Sequence, residues 1–211
     1  MGDAHRLIPP HGGYRKLRTF HIAEAVYDGT VIFCDRFIEH QSRTHDQMVQ
    51  AGRSCVQNIV EGSMASATSK KMELKLTGVA RASLEELLRD YEDFLRQRGL
   101  CRWEKDSPDA LALRGKYRIE KSGPADVFRE ADPYGIRSAT AEAAANTLIC
   151  LIHQCSYLLR RQLEGLERTF LQQGGFTERL YRERTAYRRE RDQSDKSEAS
   201  DKSDRSDTSR R

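Results

Sequence analysis

The sequence predicts an all-α protein: an antiparallel four-helix bundle with a long crossover between helices three and four, a C-terminal helical extension and a disordered tail. Three observations predict it. Apolar residues recur every three or four positions along four long segments, and no segment alternates as a strand would. Hydrophobic residues make up 37% of the chain and charged residues 32%, the balance of helices with a narrow apolar stripe and a heavily solvated face. The 211 residues suffice for one domain with a real core and are too few for two full ones.

Residues 1–13 read as a flexible N-terminus and 14–173 as the bundle. Helix one spans about Leu17 to Glu39, where Ile22, Val26, Gly29, Phe33 and Phe37 fall on one stripe. Thr44 and Gln47 have capping-box spacing, each side chain able to satisfy a backbone N–H of the other residue. Helix two then runs from about His45 to Ser66 with Met48, Gly52, Cys55 and Ile59 inward. Helix three starts near Ser69 and carries Leu76, Ala80, Ser83, Leu87 and Phe94 to Arg98, where Gly99 can take the left-handed conformation that ends a helix.

Residues 100–137 hold three prolines and three glycines and cannot be one regular element. They read as a crossover with a short helix beginning at Ser107-Pro108. Helix four spans about Ser138 to Gln173, its stripe running Leu148, Ile152, Cys155, Leu159, Leu163, Leu166 and Phe170. Residues 174–191 form a basic suffix, helix-permissive but too polar to bury itself, and 192–211 are a Ser, Asp and Lys tail with the composition of disorder. Gly29, Gly52, Gly62, Gly78 and Gly165 all fall inside helices, each at a cost of roughly 1 kcal/mol relative to Ala. Such a load predicts that several permit close helix approach, unless some mark helix ends.

Five cysteines, mostly within apolar helical runs and without a CxxC pair, point to a reducing cytoplasm rather than a disulfide framework. The N-terminus lacks the apolar core of a signal peptide, and no stretch of about 18 apolar residues is available to span a membrane. The net charge is +4, of which residues 192–211 contribute −1, so the rest is mildly basic.

Candidate chemistry is sparse. Cys150, His153 and Cys155 do not converge on a helical wheel and read as core cysteines; His5, His11, His21, His40 and His45 show no ligand spacing. No phosphate-binding glycine loop, GxSxG or HExxH occurs, so no cofactor, metal or catalytic residue is expected. The suffix is more suggestive. Arg179, Arg182, Arg184, Arg188, Arg189 and Arg191 interleave with Phe176, Tyr181 and Tyr187, a set in which guanidinium groups can pair with phosphate and tyrosines can stack on unpaired bases. Glu178, Glu183 and Glu190 dilute that charge, so a solvated helix with internal ion pairs is the competing reading. Arg15, Lys16, Arg18, Lys70, Lys71 and Lys75 are a second patch or merely solubilise helix ends.

Asn58 and Glu61 lie one turn apart on helix two and could meet Arg81 or Ser83 of helix three as a buried polar set that fixes register. The segment from Arg53 to Leu87 carries Asn58-Ile59-Val60-Glu61-Gly62, then Ser69, then Ala80 with Ser83 and Glu86-Leu87, while Tyr14, Leu17 and Phe20 open helix one. On these residues the chain resembles the four-helix bundle family of proteins encoded in intervening sequences of bacterial 23S ribosomal RNA genes, which includes accessory variability proteins of diversity-generating retroelements. It departs from the family at Ala82, where the family carries glycine, and in its longer crossover. The suffix is similar to that of a family subgroup. The resemblance implies a homo-oligomer, a pentamer in characterised relatives, that associates with RNA or a reverse transcriptase and is not an enzyme.

Two functions follow as expectations. One is an oligomeric accessory protein that binds nucleic acid, RNA before DNA, through the suffix arginines. The other is a protein-interaction module that docks on a partner such as a reverse transcriptase and has no nucleic-acid binding of its own.

Overall fold

In the computed structural model the described residues are 11–120, 132 and 134–207, with the backbone alone described for 116–120, 173 and 194–207. Residues 1–10 of the expected flexible N-terminus, most of 121–133 in the crossover and residues 208–211 of the tail lie outside them. Among the described residues every regular element is helical. A 3-10 turn over Gly13–Lys16 leads into α1 (Arg18–Phe37), followed by α2 (Arg43–Ala65), α3 (Lys70–Gln97), α4 (Pro108–Glu120), α5 (Ala141–Gln173) and α6 (Phe176–Asp207).

Local chemistry explains the boundaries. The α1 stripe continues in sequence to Glu39, yet the chain turns extended at Ile38 and the helix stops at Phe37. The Thr44 and Gln47 capping box does not form. Ser42 caps α2 instead, its hydroxyl accepting the Thr44 N–H at 3.2 Å, and this puts Thr44 inside the helix where it cannot cap. Ser69 caps α3 by accepting the Met72 N–H at 3.2 Å. At the other end Gly99 adopts φ +63°, the Leu100 N–H donates to Leu95 O and the Gly99 N–H to Arg96 O, the two bonds of a Schellman cap. Thr140 caps α5 through the Ala143 N–H at 3.2 Å, so α5 begins at Ala141 rather than Ser138.

The apolar stripes of α1, α2, α3 and α5 close on one core. α2 packs on α1 and α3, and α5 packs on α1 and α3. Phe33 sits at its centre, edge-on to Tyr91 at 4.9 Å and to Phe94 at 4.8 Å. Tyr91 is fully buried and its hydroxyl donates to Thr30 Oγ1 at 3.0 Å, while the Thr30 hydroxyl donates to Val26 O at 2.7 Å. No polar atom of this trio is stranded in the apolar interior, which is what makes its burial tolerable.

Three of the five glycines that the sequence places inside helices sit at close approaches. A Cβ on Gly52 would lie 3.4 Å from the Tyr27 backbone, one on Gly62 3.4 Å from Leu76 Cβ, and one on Gly29 2.7 Å from Leu148 Cδ2. Gly78 and Gly165 face open space, so packing within the chain does not account for them.

The crossover is tied to the core at both described ends. Asn146 is 1% exposed on α5 and accepts the Trp103 N–H at 2.7 Å while donating to Cys101 O and Glu142 O. α4 lies on α5, with Pro108 at its first position and the Ser107 hydroxyl accepting the Ala110 N–H. Ile136 is buried, and Arg36 of α1 donates to the Ile136 and Ala139 carbonyls.

Candidate nucleic-acid interface

The hinge between α5 and α6 sets where the suffix goes. Gly174 ends α5 with φ +71°, its N–H reaching back to Phe170 O, and the Glu178 carboxylate accepts the Gly175 N–H at 2.9 Å. α6 then starts beside the turn between α2 and α3. Arg179 stands over the Phe176 ring and donates to Ala67 O at 3.1 Å. Between them lies a groove of about 360 Å³ lined by Ser66, Ala67, Lys70, Phe176, Arg179 and Arg182.

Beyond this root α6 has no apolar stripe. At roughly 100° per residue its suffix residues sort onto two faces. Arg179 and Arg182 share the face turned toward the α2–α3 turn, with Arg189 on the same side. Arg184, Arg188 and Arg191 fall on the opposite side, flanked by Tyr181 and Tyr187, all five within an arc of about 120°. Glu178, Glu183 and Glu190 lie off that arc. All five of its residues are exposed, Tyr181 by 72% and Tyr187 by 66%.

The other basic residues gather at the same end of the molecule. The Gly12 N–H donates to Ser63 O, Thr19 bonds Gln162, and Arg179 bonds Ala67 O. The start of α1, the α2–α3 turn and the end of α5 are therefore neighbours, and they carry Arg15, Lys16, Lys71 and Lys75 at the surface. Lys70 is engaged with Glu73 at 2.8 Å.

The polar residues that carry the family resemblance are distributed differently from the expectation. Glu61, Arg81 and Glu86 are exposed and take no part in a buried set. Ser83 is buried and its hydroxyl pairs with that of Ser54 at 3.0 Å; Asn58 reaches this pair by donating to the Ser54 hydroxyl at 3.2 Å. Ser54, an inconspicuous residue in sequence, is thus the link between α2 and α3. Gly62 lets α3 approach α2.

Cys150, His153 and Cys155 diverge. Cys155 is buried with its thiol toward Thr19 O, and its proton is held by the neighbouring Cys55 as well as by burial. His153 is exposed beside Arg102 at 3.5 Å, its pKa lowered by partial burial and by that guanidinium. The α1–α2 turn does something linear spacing does not show: it brings His40 and His45 together, ring centroids 5.2 Å apart, next to Asp35.

The fold and this surface define a class, a helical protein that displays a basic and aromatic arm from one end of its core. Among the described residues no helix is long and apolar enough to cross a membrane. No protein-family model, curated protein or solved structure matches the chain.

Proposed function

We propose that the chain is a non-enzymatic, oligomeric accessory protein of the cytoplasm that binds nucleic acid, RNA in preference to DNA. The observation that carries this reading is the outward face of α6, where Arg184, Arg188 and Arg191 stand between Tyr181 and Tyr187 with the glutamates turned aside. Guanidinium groups at that spacing pair with successive phosphates, and the tyrosines offer rings to unpaired bases. In this reading α1, α2, α3 and α5 form the antiparallel four-helix bundle of the family the sequence resembles, and five subunits raise the arms' avidity at one end of the ring. The exposed apolar side chains Met64, Met72 and Val79 along α2 and α3 favour such self-association.

The test is binding of the nuclease-treated protein to a structured RNA and a matched DNA duplex across a salt series. Three phosphates per arm predict that log K falls with log salt at a slope of roughly −2 to −3, and engagement of all six arginines a slope of about −4 to −5. Removing residues 174–211 is expected to weaken binding and to leave the oligomer intact.

A second reading has its own observation. Leu163, Leu166 and Phe170 on the last turns of α5 are only half covered, and Leu171 beside them is 76% exposed. A protein partner such as a reverse transcriptase would cover them, and any nucleic acid would then belong to that partner. Absence of RNA binding at low salt selects this reading.

A further inference from the structure

We propose that Asp35, His40 and His45 form a binding site for one divalent cation of the zinc class, clasping the turn between α1 and α2. Asp35 lies in the last turn of α1, His40 in the connection and His45 in the first turn of α2. One ligating atom of each lies within 4.8 Å of those of the other two. The separation of His45 Nε2 from Asp35 Oδ1 is 3.3 Å. Two ligands at about 2.0–2.1 Å from a tetrahedral zinc ion lie roughly 3.3 Å apart, so this edge already has the length the ion requires. A small rotation of the exposed His40 ring supplies the third ligand.

A hydrogen bond between Asp35 and His45 accounts for that pair alone. It does not account for the second imidazole drawn to the same point, nor for the other nitrogen of His45. His45 Nδ1 is buried and has no hydrogen-bond partner, with the Asp46 carboxylate 3.7 Å away. An ion on Nε2 fixes the proton on Nδ1 and gives it Asp46 as acceptor, the arrangement by which carboxylates orient metal-bound histidines. Two imidazoles and one carboxylate are a donor set for zinc and its neighbours, not for magnesium or calcium, which take oxygen. Asp35 and His40 are exposed, so the fourth position is open to water.

The site is at the end of the molecule away from the root of α6, so it is independent of the nucleic-acid reading. Its effect is on the α1–α2 connection, because an ion bound only by the folded chain stabilises it by mass action.

The experiment uses the full chain freed of metal with a chelator, then titrated with Zn2+ against a chromophoric competitor and with Co2+ as a spectroscopic substitute. The expected result is one ion per chain at about micromolar affinity or better, the visible bands of tetrahedral Co2+, and a raised thermal midpoint that the chelator reverses. His40→Ala and Asp35→Asn, both at exposed positions, each lower the affinity at least tenfold and leave the midpoint of the metal-free protein unchanged. Failure to bind, or an ion whose affinity and spectrum are the same in both variants, overturns the proposal; the second result would move the ion to another donor such as the exposed Cys101.

Discussion

Asn146 shows how much one side chain can decide. In sequence it is a polar interruption of an apolar run, while in the fold it is the anchor by which α5 holds the first residues of the crossover. Its replacement by alanine removes the acceptor of the Trp103 N–H and the donor to the Cys101 carbonyl, on a partly exposed stretch of the crossover. Each lost bond is worth about 0.5–1.5 kcal/mol, so Asn146→Ala is expected to lower stability by roughly 1–3 kcal/mol, read as a shift in the denaturant midpoint. A change within about 0.5 kcal/mol would mean that water replaces the amide. Ser54 is a similar case, since its hydroxyl links α2 to Ser83 although no pattern in the sequence marks it.

Among the elements, α6 depends least on packing. The helix that begins at Phe176 runs to Asp207, into the segment whose composition is that of disorder. The residue types permit this, as Ser, Asp, Lys and Glu can all be accommodated in an exposed helix. Permission is not stabilisation, however. With no apolar stripe and only its first turns against the body, α6 past Arg182 depends on propensity and local ion pairs, which are weak in water. Amide exchange in α6 is therefore expected to be orders of magnitude faster than in α1, α2, α3 and the first half of α5. Protection of α6 comparable to the core would show that its outward face packs on another chain, which would count against the nucleic-acid reading. Addition of RNA should slow exchange in the segment from Tyr181 to Arg191 and leave the core helices unchanged.

At the scale of the whole molecule the two ends carry different groups of residues. The end formed by the start of α1, the α2–α3 turn and the α5–α6 hinge gathers basic residues. The other holds the His40 and His45 turn and the anchored crossover. Between them lies a core in which the Tyr91 phenol is fully buried. Burial raises its pKa well above the usual tyrosine value, an effect that the hydrogen bond with Thr30 only partly offsets. The folded state therefore keeps the phenol proton at pH values where the unfolded chain releases it. A raised folded pKa leaves the Tyr91 contribution intact below about pH 10 and removes it as pH climbs further, by up to about 1.4 kcal/mol per unit. Tyr91→Phe should lose about 1 kcal/mol at neutral pH through the missing hydrogen bond, and show a shallower decline above pH 10. Parallel curves for the two proteins in alkaline denaturation would exclude Tyr91 as a source of that decline.

What the sequence determined by itself was local. Helical periodicity, the Ser69 cap, the Gly99 stop and the proline at the start of α4 depend on residues within one or two turns of each other, so α1 to α5 were legible to within a few residues. The Thr44 cap failed because Ser42 competes for the same helix end, a choice that propensity alone does not rank. The identity of the suffix arginines was equally legible, whereas their division into an inward and an outward face follows from the helix geometry and from where the α5–α6 hinge points them. Only the tertiary structure decided which glycines face a neighbour, which hydroxyl joins α2 to α3, and that Asp35, His40 and His45 meet. The physical reason is the same in each case: these are distances between residues brought together by packing of whole helices, and no window along the chain contains both partners and the surface that presses them together.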